Sequence, residues 1–165
     1  MLETPRRAYL LLNAEPELDC HDPRTAAAAM RAAQFVVALS PYQHGAVEYA
    51  HVMLPIGPFI ETSGTFVNTE GRVQSFRGVV NPLAETRPGW KVLRVLGTMF
   101  GLDGFGYTSS EQVRDEALGQ GDVAARLDNR LREDRVEPSH AQAPQLERIG
   151  EVMSYHADNI VRRSA

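Results

Sequence analysis

An α/β fold built on a parallel sheet is what this sequence predicts, and three observations predict it. Two short apolar runs, Ala8 to Asn13 and Phe35 to Leu39, have the length and unbroken hydrophobicity of strands buried on both faces. Between them lies Thr25 to Gln34, an alanine-rich segment of strong helix propensity. Strand, helix and strand make a βαβ unit, whose crossover takes a dozen or more residues and is nearly always right-handed.

The first run stops at Asn-Ala-Glu-Pro, a loop signal, and Asp22 with Pro23 then supplies an N-cap and a first helical residue. After Ser40-Pro41 a short helix is predicted over Gln43 to Ala50, followed by a brief strand, Val52 to Pro55, closed by its proline. Gly64 to Val67 and Arg72 to Phe76 are β-prone runs bracketing Asn68-Thr69-Glu70-Gly71, a sequence suited to a type I turn in a hairpin. Pro88 opens a strongly apolar helix from about Gly89 to Phe100. Trp90, Leu93, Leu96 and Phe100 lie near one face of it, which is expected to cover the sheet, and Gly101 ends it. Glycine-rich residues 101–110 read as a linker between an α/β domain, 1–105, and a helical, partly extended tail, 106–165. In the tail, Ser110 is placed to cap a helix through Leu118 and Asp122 another through about Arg135. A second linker, VEPSHAQAPQ, and a polar segment from Leu146 to Arg163 follow.

Composition excludes several function classes. The 165 residues carry a formal charge of -4, and the arginines form no basic stripe between aromatics, so no nucleic-acid partner is expected. No apolar run approaches the roughly 18 residues of a membrane span. The opening MLETPRRAYLLLN has too short an apolar patch for a secretory leader, so a cytoplasmic location is expected. The single cysteine, Cys20, permits neither an internal disulfide nor the about four thiolates of an iron–sulfur cluster.

The most patterned stretch is ETSGTFVNTEGRVQSF, Glu61 to Phe76. Glu61 and Glu70 could serve as a general acid and base, but nothing in the sequence fixes their separation, and turns collect such residues, so capping or turn roles are favoured. His44 and His51, on a continuous helix, would be about 10 Å apart, too far for one metal ion. Cys20 and His21 have no further ligand at metal-binding spacing. Ser63-Gly64 lacks the Gly-x-Ser-x-Gly elbow, and no phosphate-binding glycine loop joins a strand to a helix. Trp90, Met99 and Phe100, at helical spacing, read as core. Neither a catalytic nor a metal-binding residue is predicted.

The long run EYAHVMLPIGPFIETSGTFVNTEGRVQSFRGVVNPLAETRPGWKVLRVLGTMFGL resembles the molybdopterin oxidoreductase family. Within that family, GRVQSFRGVVNPL and the ending LERIGEVMSYHADNIVRRSA are similar to the large iron–sulfur subunits of NADH-quinone oxidoreductase, respiratory complex I. The resemblance implies a C-terminal fragment of such a subunit: a three-layer parallel-sheet domain with no active site of its own. It would support iron–sulfur domains elsewhere in the subunit and pack on them and on other peripheral-arm subunits, at the cytoplasmic face of the bacterial inner membrane. It also implies that Glu61, Gly64, Thr65, Asn68, Glu70, Gly71 and Arg72 descend from a cofactor pocket that is vestigial in those subunits. The alternative is a true molybdopterin-dependent oxidoreductase of the formate dehydrogenase kind, in which Gly64, Thr65, Asn68 and Arg72 help hold the pterin. In one place the chain departs from the family pattern, with His51 where Asp commonly precedes the Val of the Leu-Pro strand.

Overall fold

A computed structural model of the chain describes residues 2, 4–68, 70–119, 121–123 and 125. Two compact units divide the chain, Met1–Leu127 and Asp128–Ala165, and the described residues all belong to the first. The helix expected beyond Asp122, the second linker and the terminal segment fall outside the described residues, save 122, 123 and 125.

The fold is mixed α/β with a parallel sheet, as the sequence predicts. Strands β1 (Ala8–Leu12), β2 (Phe35–Ser40) and β3 (Val52–Pro55) pair in that order, both pairs parallel, with Leu10 opposite Val37 and Leu39 opposite Leu54. Helix α2 (Pro23–Ala32) makes the crossover from β1 to β2 and begins where the sequence places it. Arg24 N–H and Thr25 N–H both donate to Asp22 Oδ1 at 3.1 Å, satisfying donors a helix start leaves open. Alanines at 26 and 29 let this helix lie close to the sheet. Met30, 1% exposed, fills the space with Tyr9, Leu11, Val36 and Ala38.

Several expectations change. Strand β1 is buried on one face only: Tyr9 and Leu11 point into the core, while Leu10 is 54% exposed on the other side, as is its neighbour Phe35 at 46%. The loop after β1 contains a short helix, α1 (Pro16–Asp19), where the sequence suggests only a loop. Gln43 to Ala50 is not an α-helix but a single 3-10 turn, Gly45–Glu48. His44 caps it in an extended conformation and Tyr49 leaves it at φ -136, so too few residues remain for a ladder of i→i−4 bonds. Helix α3 (Gly89–Met99) half-buries Trp90, Leu93 and Leu96, but Met99 and Phe100 are each 77% exposed and not core. Its first turn meets the sheet, where a Cβ on Gly89 would stand 3.3 Å from the side chains of Leu12 and Ile56.

The antiparallel hairpin β4 (Gly64–Val67) and β5 (Val73–Phe76) forms as predicted, Val67 opposite Val73. Helix α3 ends as its glycine foretells. Gly101 takes φ 67, its N–H bonds Thr98 O, and Leu102 N–H reaches back to Gly97 O, a Schellman closure. Residues 101–109 are tied back onto α3: the Phe105 ring lies directly over Gly97, and Arg94 Nη1 donates to Tyr107 O at 3.0 Å. Helix α4 (Ser110–Leu118) follows, capped by Ser109 rather than Ser110, with Gln112 N–H donating to Ser109 Oγ. No described helix is long and apolar enough to cross a membrane.

Candidate functional site

The loop that carries the pattern begins at Glu61, the last residue of a 3-10 turn, Phe59–Glu61. Its carboxylate is engaged: Leu83 N–H donates to Glu61 Oε2 at 3.1 Å. Val79 N–H bonds Ile60 O beside it, so this corner pins the chain from 77 to 83 against the start of the hairpin. At the far end, Asn68 Oδ1 accepts from Glu70 N–H and Arg72 N–H at 3.0 and 2.8 Å, and Gly71 N–H closes the turn onto Asn68 O. Gly71 is buried at φ 76, where a side chain would be strained, and Glu70 and Arg72 are exposed. The turn thus uses Asn68 as an acceptor for backbone groups that would otherwise face water alone.

Of the seven pocket candidates, Gly64 and Thr65 line a groove of about 240 Å³ between β4 and α4. Ser63 Oγ and Ser110 Oγ meet at 2.9 Å, Thr65 Oγ1 and Ser75 Oγ at 3.0 Å, and Arg114 Nη1 reaches Ser75 Oγ at 3.4 Å. Trp90 forms the apolar wall, and its buried Nε1 has no hydrogen-bond partner among the described residues. Beside the groove, Glu111 is held below the ordinary carboxylate range by a backbone N–H and then by Ser109 Oγ at the start of α4, and so stays anionic. Tyr107 is pushed up by its hydrogen bond to Glu116 and stays a phenol. Sequence reasoning missed Trp90, Ser110 and Arg114 as groove residues, because α4 meets β4 through the fold rather than through any local spacing.

Among the described residues, the seven candidates do not by themselves form a cradle that fits a pterin. Gly64 is glycine because a Cβ there would stand 2.8 Å from Phe76 Cζ, which leaves it filled by the protein itself and no cradle for a ligand. Asn68 points its acceptor into its own turn, and Glu61 turns its carboxylate to Leu83 N–H.

The histidines fare differently from one another. His51 Nδ1 accepts from Val36 N–H at 3.1 Å, and its ring packs at 5.4 Å from that of Phe35, so it serves the sheet edge. His44 is brought beside Glu15 and Glu17, residues of the preceding strand-to-helix loop that no sequence spacing links to it.

Comparison with known proteins bears on the whole. The family model described as molybdopterin oxidoreductase matches residues 1–99. A protein of Staphylococcus haemolyticus strain JCSC1435, named "Putative formate dehydrogenase", is 31% identical over 91 residues, 55% of this chain and 9% of that protein. One of the same name from Staphylococcus aureus strain USA300 is 33% identical over 89 residues, 54% of this chain and again 9% of the relative. The matched stretch therefore corresponds to less than a tenth of the length of these curated relatives. The match across the parallel sheet, the hairpin and α3 makes this chain a member of the molybdopterin oxidoreductase family.

Proposed function

We propose that this chain is a structural segment of the large iron–sulfur subunit of a proton-pumping NADH:quinone oxidoreductase, with no catalytic centre of its own. One observation carries the reading: the Glu61 carboxylate and the Asn68 side-chain oxygen of the family loop are spent on backbone N–H groups. Glu61 holds Leu83 and Asn68 holds the 70–72 backbone, so the former pocket acts as a brace. An exposed apolar sheet face at Leu10, Leu12, Phe35 and Val52 supports it, because a body of this size is expected to bury such a patch against other domains. Under this reading the clusters, which Cys20 alone cannot hold, lie elsewhere in the subunit. The chain packs on those domains and on neighbouring peripheral-arm subunits at the cytoplasmic face of the membrane, and residues 106–165 form a tail that contributes to that packing.

The names of the relatives favour a second reading, a molybdopterin-dependent, formate dehydrogenase-like enzyme in which Gly64, Thr65, Asn68 and Arg72 face the pterin once the remaining domains close over them. Molybdenum, pterin and iron content of the full-length natural protein separates the two. Iron without molybdenum or pterin is the expected result. Stoichiometric molybdenum with pterin, lowered by Thr65→Ala, would overturn the first reading in favour of the second.

A further inference from the structure

Away from the hairpin, two loops that follow neighbouring parallel strands converge at the carboxyl ends of β1 and β2. The first carries Glu15 and Glu17, the second His44. One ligand atom from each of the three lies within 4.8 Å of the other two. Glu15 is 6% exposed, and the imidazole of His44 is buried to a similar degree.

Three features of this cluster suit a cation better than a set of mutual hydrogen bonds. His44 Nδ1 and Glu15 Oε2 are 3.8 Å apart, too far for a hydrogen bond and a little wider than two ligands of one small ion, which a slight closure would correct. His44 Nδ1 accepts from Ala46 N–H only at 3.3 Å, a bond long enough to yield to a metal. Glu17 is held ready: Tyr49 Oη donates to Glu17 Oε2 at 2.9 Å, and its Oε1 occupies the space that a Cβ on residue 45 would fill, so glycine there keeps room for the carboxylate. The group gathers two carboxylates and one imidazole, a donor set that a divalent ion can bind.

We propose that Glu15, Glu17 and His44 form a divalent-cation site that staples the loop after β1 to the loop after β2. One imidazole and two carboxylates, with no sulfur, suit zinc and manganese among first-row ions and leave further positions to water. Tyr49 is a positioning residue, acting through Glu17. The inference is independent of the function proposed above, since the staple would serve a structural subunit and an oxidoreductase alike.

The test is titration of the metal-stripped chain with Zn²⁺, and separately with Mn²⁺, by calorimetry with elemental analysis of the product. One equivalent of either ion is expected to bind and to raise the thermal midpoint. Glu17→Gln keeps an acceptor for Tyr49 and so preserves the fold, yet is expected to abolish stoichiometric binding, as is His44→Gln. Tyr49→Phe is expected to weaken binding about 10- to 100-fold without removing it. X-ray absorption of the zinc form should show nitrogen and oxygen neighbours only. Cys20→Ser and His21→Gln should leave binding unchanged, because that adjacent pair is the obvious rival. Failure of both ions to bind, binding that survives Glu17→Gln and His44→Gln, or a sulfur neighbour that vanishes with Cys20→Ser would each overturn the proposal.

Discussion

The sheet end of the molecule, residues 8–56, and the hairpin end, residues 61–118, are held together by different forces. In the first, Met30 and Val36 are almost wholly removed from water in the core cluster that α2 forms with the strands, and Leu39 and Ile56 are as deeply buried. In the second, β4, β5 and α4 bury no residue fully, and α3 buries only Gly97. Hydroxyl pairs, an asparagine-braced turn and a carboxylate on a backbone N–H do the joining there, beside the rings of Phe66 and Phe76 stacked at 4.8 Å across the hairpin. Apolar burial is cooperative, whereas a hydrogen bond open to water contributes only about 1 kcal/mol net. The sheet end should therefore set the global stability, and the hairpin end should open locally at lower free energy.

The largest expected effect tests the first half of that contrast. Met30→Ala removes a side chain that is 1% exposed at the centre of the core cluster, and should cost about 2–5 kcal/mol in chemical denaturation, with the hairpin amides losing protection together with the strands. A loss below 1 kcal/mol, in place of about that range, would mean that the α2–sheet contact is not the folding core.

Asn68→Ala tests the other half. It removes the acceptor of two backbone N–H groups in a turn exposed to solvent, and should cost about 1 kcal/mol. Hydrogen exchange should quicken between Thr65 and Ser75 and stay unchanged in β1 and β2. If the strand amides also quickened by the same factor, the two ends would be one cooperative unit and the comparison would fail.

This division also explains what could be read in the sequence. The strands, the Asp22 cap, the hairpin and the Gly101 stop are local matters of apolar run length, capping chemistry and backbone freedom, and each is written in a few consecutive residues. What covers an apolar face is not local. Leu10 and Phe100 belong to stretches that look like core, yet the described residues leave both open to solvent, because hydrophobic patterning states a need for cover and not its source. The same limit applied to the sites. Gly64 and Thr65 line the groove with Trp90 and Ser110, which reach it through packing of α3 and α4. Glu15, Glu17 and His44 are joined only by the pairing of β1 with β2, so no ligand spacing could announce them.

The smallest effect concerns an exposed hydrogen-bonded device within the buried end. Thr25 Oγ1 donates to Asp22 Oδ2 at 2.6 Å, and this bond first, then the Thr25 and Arg24 N–H groups, lowers the Asp22 pKa from its ordinary value of 3.8. A depressed carboxylate pKa means that the unfolded chain takes up the proton first. The cap's ionic contribution is therefore complete above the unfolded value and fades as pH falls through the folded one. Asp22→Asn keeps an oxygen that can accept from the helix N–H groups but cannot ionise. The expected outcome is a thermal midpoint close to that of the parent in acid and slightly below it near neutrality, so that the acid limb of the profile flattens. Because α2 packs on the sheet core, the change should appear in global unfolding and not in hairpin exchange. A shift confined to the hairpin amides would instead couple the cap to the end of the molecule it does not touch.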